Sequence, residues 1–336
     1  MKHHAIRVAL VVLALAGAAT AAGLKIVTTT SDLAAIAKAV AGDKAEVHSI
    51  CTGKEDPHML QAKPSCILLA RDADLWVRIG LELEIGWEPP ILDGSRNPRV
   101  REGARGHLDA AESALVLDVP TSKVTRALGD VHPQGNPHYW LDPLNGRRIA
   151  GAIGERLAEI APADAALYRA NATAFQQAVD EHMFGAELLK ALPADRLWAM
   201  TEDGSIAAFL AEAANLGKAG GWLAAMQPLR GQKIITYHRS WVYFAHRFGL
   251  SIAAEIEPKP GVPPSGAHLR ETAAGARQQG VRVILQEPFY SRKAADRLAG
   301  EIGARVVVVA NSVGGQPEAT DYLALMDLIV KCVTAN

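Results

Sequence analysis

Short apolar, β-branched runs alternate along this chain with stretches whose apolar positions recur every three or four residues. Residues 23–30 read as a strand, and Ser31 or Asp32 then caps a helix to about Val40, with Gly42 as its stop. Residues 45–50 form a second strand that ends in a polar loop carrying Glu55, Asp56 and His58. Pro64 opens a helix to about Arg71, and residues 75–79 are strand-like again. From Asn145 to Leu192 the period is helical, broken by Pro162. The second piece, from Asp164, would be about 40 Å long if continuous at about 1.5 Å per residue. The alternation then resumes, with strands over 233–237, 281–286 and 305–310 and helices over 241–248, 292–302 and 322–333. Strands alternating with helices predict an α/β fold of two lobes, each a mostly parallel sheet flanked by helices. The long helix is the expected rigid link between them.

The expected organisation is an export signal over 1–22, an N-terminal lobe over 23–145, linking helices over 146–192, an extra helical segment over 193–232, and a C-terminal lobe over 233–336. The signal rests on Lys2 and Arg7, the apolar run from Val8 to Ala16, and small residues around Ala21 and Ala22. A chain of 336 residues exceeds what one core commonly holds. Its net charge of −1 gives no basic surface for nucleic acid. The three cysteines Cys51, Cys66 and Cys332 lack the close spacing of a thiolate metal site. In an oxidising compartment Cys51 and Cys66 are the nearer pair to bridge, and three buried free thiols are the alternative.

The distinctive histidines sit where strands end. His58 lies in Glu55-Asp56-Pro57-His58, His138 in Asn136-Pro137-His138-Tyr139-Trp140-Leu141-Asp142-Pro143, and His238 directly after the strand over 233–237. Ligands of open parallel sheets bind beyond the carboxyl ends of the strands, so these three side chains are expected to converge in a cleft between the lobes. Imidazole suits zinc, and also copper, nickel and iron.

The stretches Asp56-Pro57-His58, Lys63-Pro64-Ser65, Asn136 to Pro143, Thr236 to Leu250, Gln286-Glu287-Pro288 and Tyr322 to Asp327 occur in an order that resembles the zinc- and manganese-binding receptors of ABC importers, the ZnuA-like and TroA-like group. The resemblance implies two lobes, a long linking helix, and a metal held between the lobes by His58, His138 and His238. It implies zinc above manganese, because manganese receptors often carry glutamate at the third position. It also implies a periplasmic, monomeric receptor that delivers its metal to a membrane permease. A periplasmic zinc metallochaperone and a zinc-dependent hydrolase with Glu287 as base are the alternatives.

Two features depart from the group. Asn311 stands where an aspartate ligand is usual, which opens the fourth coordination place to water, Glu55, Asp56, His132 or Glu287 and leaves Asn311 a role behind the ligands. Residues 185–232 are longer than a simple connection, and are expected to be a packed helical insert, with a lid or docking surface as the sharper reading. No histidine-rich tract is present; His132, and further back His107, occupy the loops before His138. Metal affinity is expected to fall as pH drops through the histidine range, with small lobe movements on loading.

Overall fold

The computed structural model describes residues 23–122, 131–212, 214–215 and 217–335; the export segment expected over 1–22 lies outside the described residues. Among these residues, strands β1 (Leu24–Thr28), β2 (Ala45–Ser49), β3 (Leu75–Arg78) and β4 (His107–Asp109) form a parallel sheet in the order β2-β1-β3-β4. Strands β5 (Lys233–Thr236), β6 (Ser251–Glu255), β7 (Val283–Gln286) and β8 (Arg305–Val308) repeat that order as β6-β5-β7-β8, again all parallel. Each sheet therefore has one point where the strand order reverses, between its first and third strands, and it is there that loops part to leave a crevice.

Period-two alternation assigns each strand residue to a face. Ile26, Leu75 and Val77 enter one core, whereas Val27 and Trp76 enter the opposite one. In the second sheet Ile234, Val283, Leu285 and Val307 join that same first core, while Ile235 and Ile284 face a third. One hydrophobic core thus runs unbroken from sheet to sheet. Helices Pro143–Ile160, Ala165–Phe184 and Tyr322–Thr334 fill it with residues such as Ile153, Phe175 and Ile329. Re-exposing a single buried Leu or Ile costs about 1.5–3 kcal/mol, so prising the lobes apart along this core is strongly opposed.

Local chemistry fixes the elements. Thr30 caps helix Ser31–Ala41 by accepting from the Leu33 N–H, one residue earlier than expected. Asp32, free of capping duty, is buried and accepts the Val313 N–H from the other lobe at 2.9 Å. The long helix differs from expectation: it ends at Phe184 after 20 residues, about 30 Å, instead of continuing to Leu192. Gly185 turns the chain there with φ +75°, and a Cβ on it would lie 2.7 Å from Gly220 Cα.

That Gly185–Gly220 approach anchors the extra segment. Its helices Ala194–Glu202, Ile206–Ala211 and Gly221–Met226 bury Leu197, Trp198, Ile206, Trp222 and Leu223 in the common core. The Trp222 indole donates to Asp327 at 2.7 Å and the Trp198 indole to Asp180 at 2.5 Å. The insert is therefore a packed part of the scaffold. Cys51, Cys66 and Cys332 are all free thiols; Cys51 and Cys66 are buried as small apolar groups in the outer core of the first lobe. No helix among the described residues is long and apolar enough to cross a membrane.

Candidate metal centre

His58 sits in the turn Pro57–Met59 beyond β2. Asp56 Oδ1 accepts the His58 backbone N–H at 2.9 Å, and the Pro57 carbonyl takes the Trp87 indole N–H at 2.9 Å. His138 precedes the fully buried turn Tyr139–Leu141. Asn136 folds back onto it, its Oδ1 accepting the His138 backbone N–H at 3.0 Å and the ring Nδ1–H at 2.9 Å. His238 follows β5, and its Nδ1 donates to Glu257 Oε2 at 2.7 Å. An amide oxygen and a carboxylate only accept, so both rings carry hydrogen on Nδ1, which leaves Nε2 as the nitrogen able to bind a metal.

The three rings point at one another. His58 Nε2 and His138 Nε2 are 3.3 Å apart, and a donor nitrogen from each of His58, His138 and His238 lies within 4.8 Å of the others. A tetrahedral zinc with Zn–N bonds of about 2.0–2.1 Å separates its ligand nitrogens by about 3.3–3.4 Å, so the closest pair already has that spacing. His138 and His238 are almost wholly buried. A cavity of about 310 Å³ adjoins them, lined by His132, Asn136, His138, His238, Arg239 and Pro260 among others.

The lobes are stitched together around this cluster. Asn136 Nδ2 donates to the Arg239 carbonyl at 2.8 Å, and the Tyr243 hydroxyl donates to the Asn136 carbonyl at 2.5 Å while accepting the Leu117 N–H at 2.9 Å. Tyr290 donates its hydroxyl to Asp56 Oδ2 at 3.0 Å and stacks on Tyr237. Arg247 grips Asp142 with two bonds of 2.7 Å, both side chains fully buried.

Burial, reinforced by the neighbouring imidazoles, pushes His58 and His138 well below the usual histidine value, so both stay neutral and ready to coordinate. Burial would lower His238 too, but the hydrogen bond to Glu257, with Glu287 and Asp56 nearby, outweighs it and raises this ring. Glu287 is driven up to about 7 by burial.

The other residues proposed from sequence lie outside the convergent group. Glu55 accepts both the N–H and the hydroxyl of Thr52. Asp56 is held by His58 and Tyr290, and Glu287 by the Ser240 hydroxyl. Asn311 is buried, its backbone carbonyl accepting the Trp140 indole at 2.7 Å. His132 packs its ring 5.1 Å from that of His58. His107, expected in a loop, is buried on β4 with Nδ1 against the Val100 carbonyl. Sequence reasoning missed Asn136 and Glu257 as partners of the histidines. The Asn-Pro-His order was a signal for Asn136, since Asn two residues ahead readily bonds its own backbone. Glu257 gave none, being 19 residues from His238 and brought to it only by the β5–β6 pairing.

Comparison with known proteins agrees with this geometry. The family described as "Zinc-uptake complex component A periplasmic" matches residues 26–213 and 203–335. The high-affinity zinc uptake system protein ZnuA of Paracoccus denitrificans is 23% identical, with 90% of this chain and 88% of that protein covered. The iron-binding protein YfeA of Yersinia pestis is 25% identical over 94% and 86%. Among solved structures, a ZnuA crystal structure aligns with a TM-score of 0.66 at 22% identity, covering 93% of this chain and 98% of that one. The laminin-binding protein Lmb of Streptococcus agalactiae aligns with a TM-score of 0.65 at 20% identity and the same coverage. Two parallel sheets carrying a histidine cluster between them, together with a family match over nearly the whole described chain, place this protein in the ZnuA family of periplasmic metal receptors.

Proposed function

We propose that this protein is an exported, monomeric periplasmic receptor that captures zinc between its lobes through His58, His138 and His238 and hands it to an ABC import permease. The observation that carries the reading is the convergence of one ring nitrogen from each of three histidines, two of the rings fixed by acceptors on Nδ1. Three neutral nitrogen donors favour zinc over manganese, which prefers oxygen. Relatives carry both zinc and iron in their names; imidazole suits either metal, and the description of the matching family supports zinc.

A hydrolase would need a base beside the open metal position. Glu287 is wholly buried, accepts the Ser240 hydroxyl and is not among the side chains whose ligand atoms converge, and the family match is to metal-uptake receptors. The test is growth: a strain lacking this gene should grow normally in rich medium, stall when a chelator limits zinc, and recover on added zinc or a plasmid-borne copy. Recovery by a His138→Ala copy as complete as by the parent would sink the proposal.

A further inference from the structure

We infer that His132 supplies the fourth ligand, making a four-imidazole centre; this rests on the three-histidine reading above. Three imidazoles leave one corner of a tetrahedron open. Of the side chains available, Glu55 spends both oxygens on Thr52, and Asp56 divides its two between the His58 N–H and the Tyr290 hydroxyl. Glu287 is fully buried, with the Ser240 hydroxyl on one oxygen and the other unpartnered, and it is absent from the group of side chains whose ligand atoms converge. Asn311 belongs to a segment pinned to the first lobe by the Trp140 indole on its carbonyl and by Val313 on Asp32.

His132 belongs to the ring cluster itself. It lines the same cavity as His138 and His238, and its ring centroid is 5.1 Å from that of His58. The rings of His58, His138 and His238 are themselves 5.2–5.5 Å apart, so His132 extends the cluster at the cluster's own spacing. Its backbone is held in a turn, the Gly135 N–H reaching the His132 carbonyl at 3.2 Å. The nitrogens of His132 stand outside the 4.8 Å group, so ligation requires its side chain to swing toward the other three rings on metal binding. Such a swing needs room, which the cavity of about 310 Å³ provides; a water molecule's share of liquid volume is only about 30 Å³.

Charge agrees with this choice. Four imidazoles leave the ion's two positive charges unneutralised by any ligand. Glu257 stands one bond behind the His238 ring, Asp56 holds the His58 backbone N–H, and Glu287 is close enough to act on His238, so compensation comes from around the ligands. A carboxylate in the fourth place is therefore not needed, which explains how Asn311 is tolerated.

The test uses the signal-free chain loaded with one equivalent of zinc, read by zinc X-ray absorption, with His132→Ala and His238→Ala alongside. The parent should show four imidazole nitrogens, and His132→Ala three plus an oxygen, with zinc affinity weakened ten- to hundredfold. Three imidazoles and an oxygen in the parent, or an unchanged shell and affinity in His132→Ala, would overturn the assignment. Failure of the underlying three-histidine reading looks different: His238→Ala would then bind zinc as the parent does. His132 lies partly buried on a turn outside the apolar cores, and a thermal melt of each variant separates lost ligation from lost folding.

Discussion

Replacing Glu257 with glutamine isolates the part played by charge behind a ligand. In the native site Glu257 Oε2 accepts the His238 Nδ1–H at 2.7 Å, with both side chains nearly buried. A glutamine oxygen can keep that hydrogen bond, so ring orientation survives while the negative charge is lost. Two effects follow, of opposite sign. The ring becomes a weaker electron donor, and loss of such a partner behind a ligand typically lowers metal affinity 10–100-fold, about 1.4–2.8 kcal/mol. The ring also loses the interaction that lifts its proton affinity above the ordinary value, so protons compete less. Zinc affinity measured by competition with a chelator from pH 5.5 to 8.5 should therefore fall at least tenfold at the alkaline end in Glu257→Gln. The pH below which affinity declines should move lower, bringing the two curves together in acid. Equal affinity at pH 8.5, or a decline that begins at the same pH or higher, would refute the role assigned to Glu257.

Other perturbations probe the scaffold. Tyr290→Phe removes the hydrogen bond to Asp56, worth about 1.5–3 kcal/mol for a charged acceptor, and should speed zinc release to a chelator several-fold in stopped flow; an unchanged rate would mean the bridge does not hold the His58 loop. Arg247→Met strands the Asp142 carboxylate in a dry interior and should cost about 3–5 kcal/mol in denaturant unfolding, with part recovered in the Arg247→Met/Asp142→Asn pair; a loss below about 1 kcal/mol would contradict burial of the pair. Asp32 is raised by burial from 3.8 to about 7, so the folded state holds a proton that the unfolded state releases across that window. The resulting penalty is absent below pH 3.8, grows as pH rises, and is complete above pH 7, so stability should drop with rising pH there. Asp32→Asn should flatten that drop, and an identical stability–pH profile would place the titration elsewhere.

Much of this architecture is legible in the chain because buried parallel strands and their helices leave strong local periods. The strands at 24–28, 45–49, 75–78, 233–236, 283–286 and 305–308 are dense in valine and isoleucine, or bracketed by turn residues. The two missed strands lie at sheet edges: His107–Asp109 is only three residues long, and Ser251–Glu255 relies on alanines that fit a helix equally well. Continuing the long helix past Gly185 failed because the break depends on a contact with Gly220, which no local pattern reveals. At the site, strand-end position and the Pro-His pairs marked His58, His138 and His238, which the fold brings together. What stayed hidden was the layer behind them, since the links Glu257 to His238 and Tyr290 to Asp56 join residues distant in sequence.

The most direct test of zinc capture in this cleft is a competitive titration of the metal-stripped, signal-free protein with zinc and with manganese, run in parallel on His238→Ala. Tight zinc binding, manganese at least a hundredfold weaker, and loss of at least a hundredfold in zinc affinity in the variant are the predicted results. Zinc binding that is equal in variant and parent, or a preference for manganese, would contradict a nitrogen-ligated zinc site between the lobes.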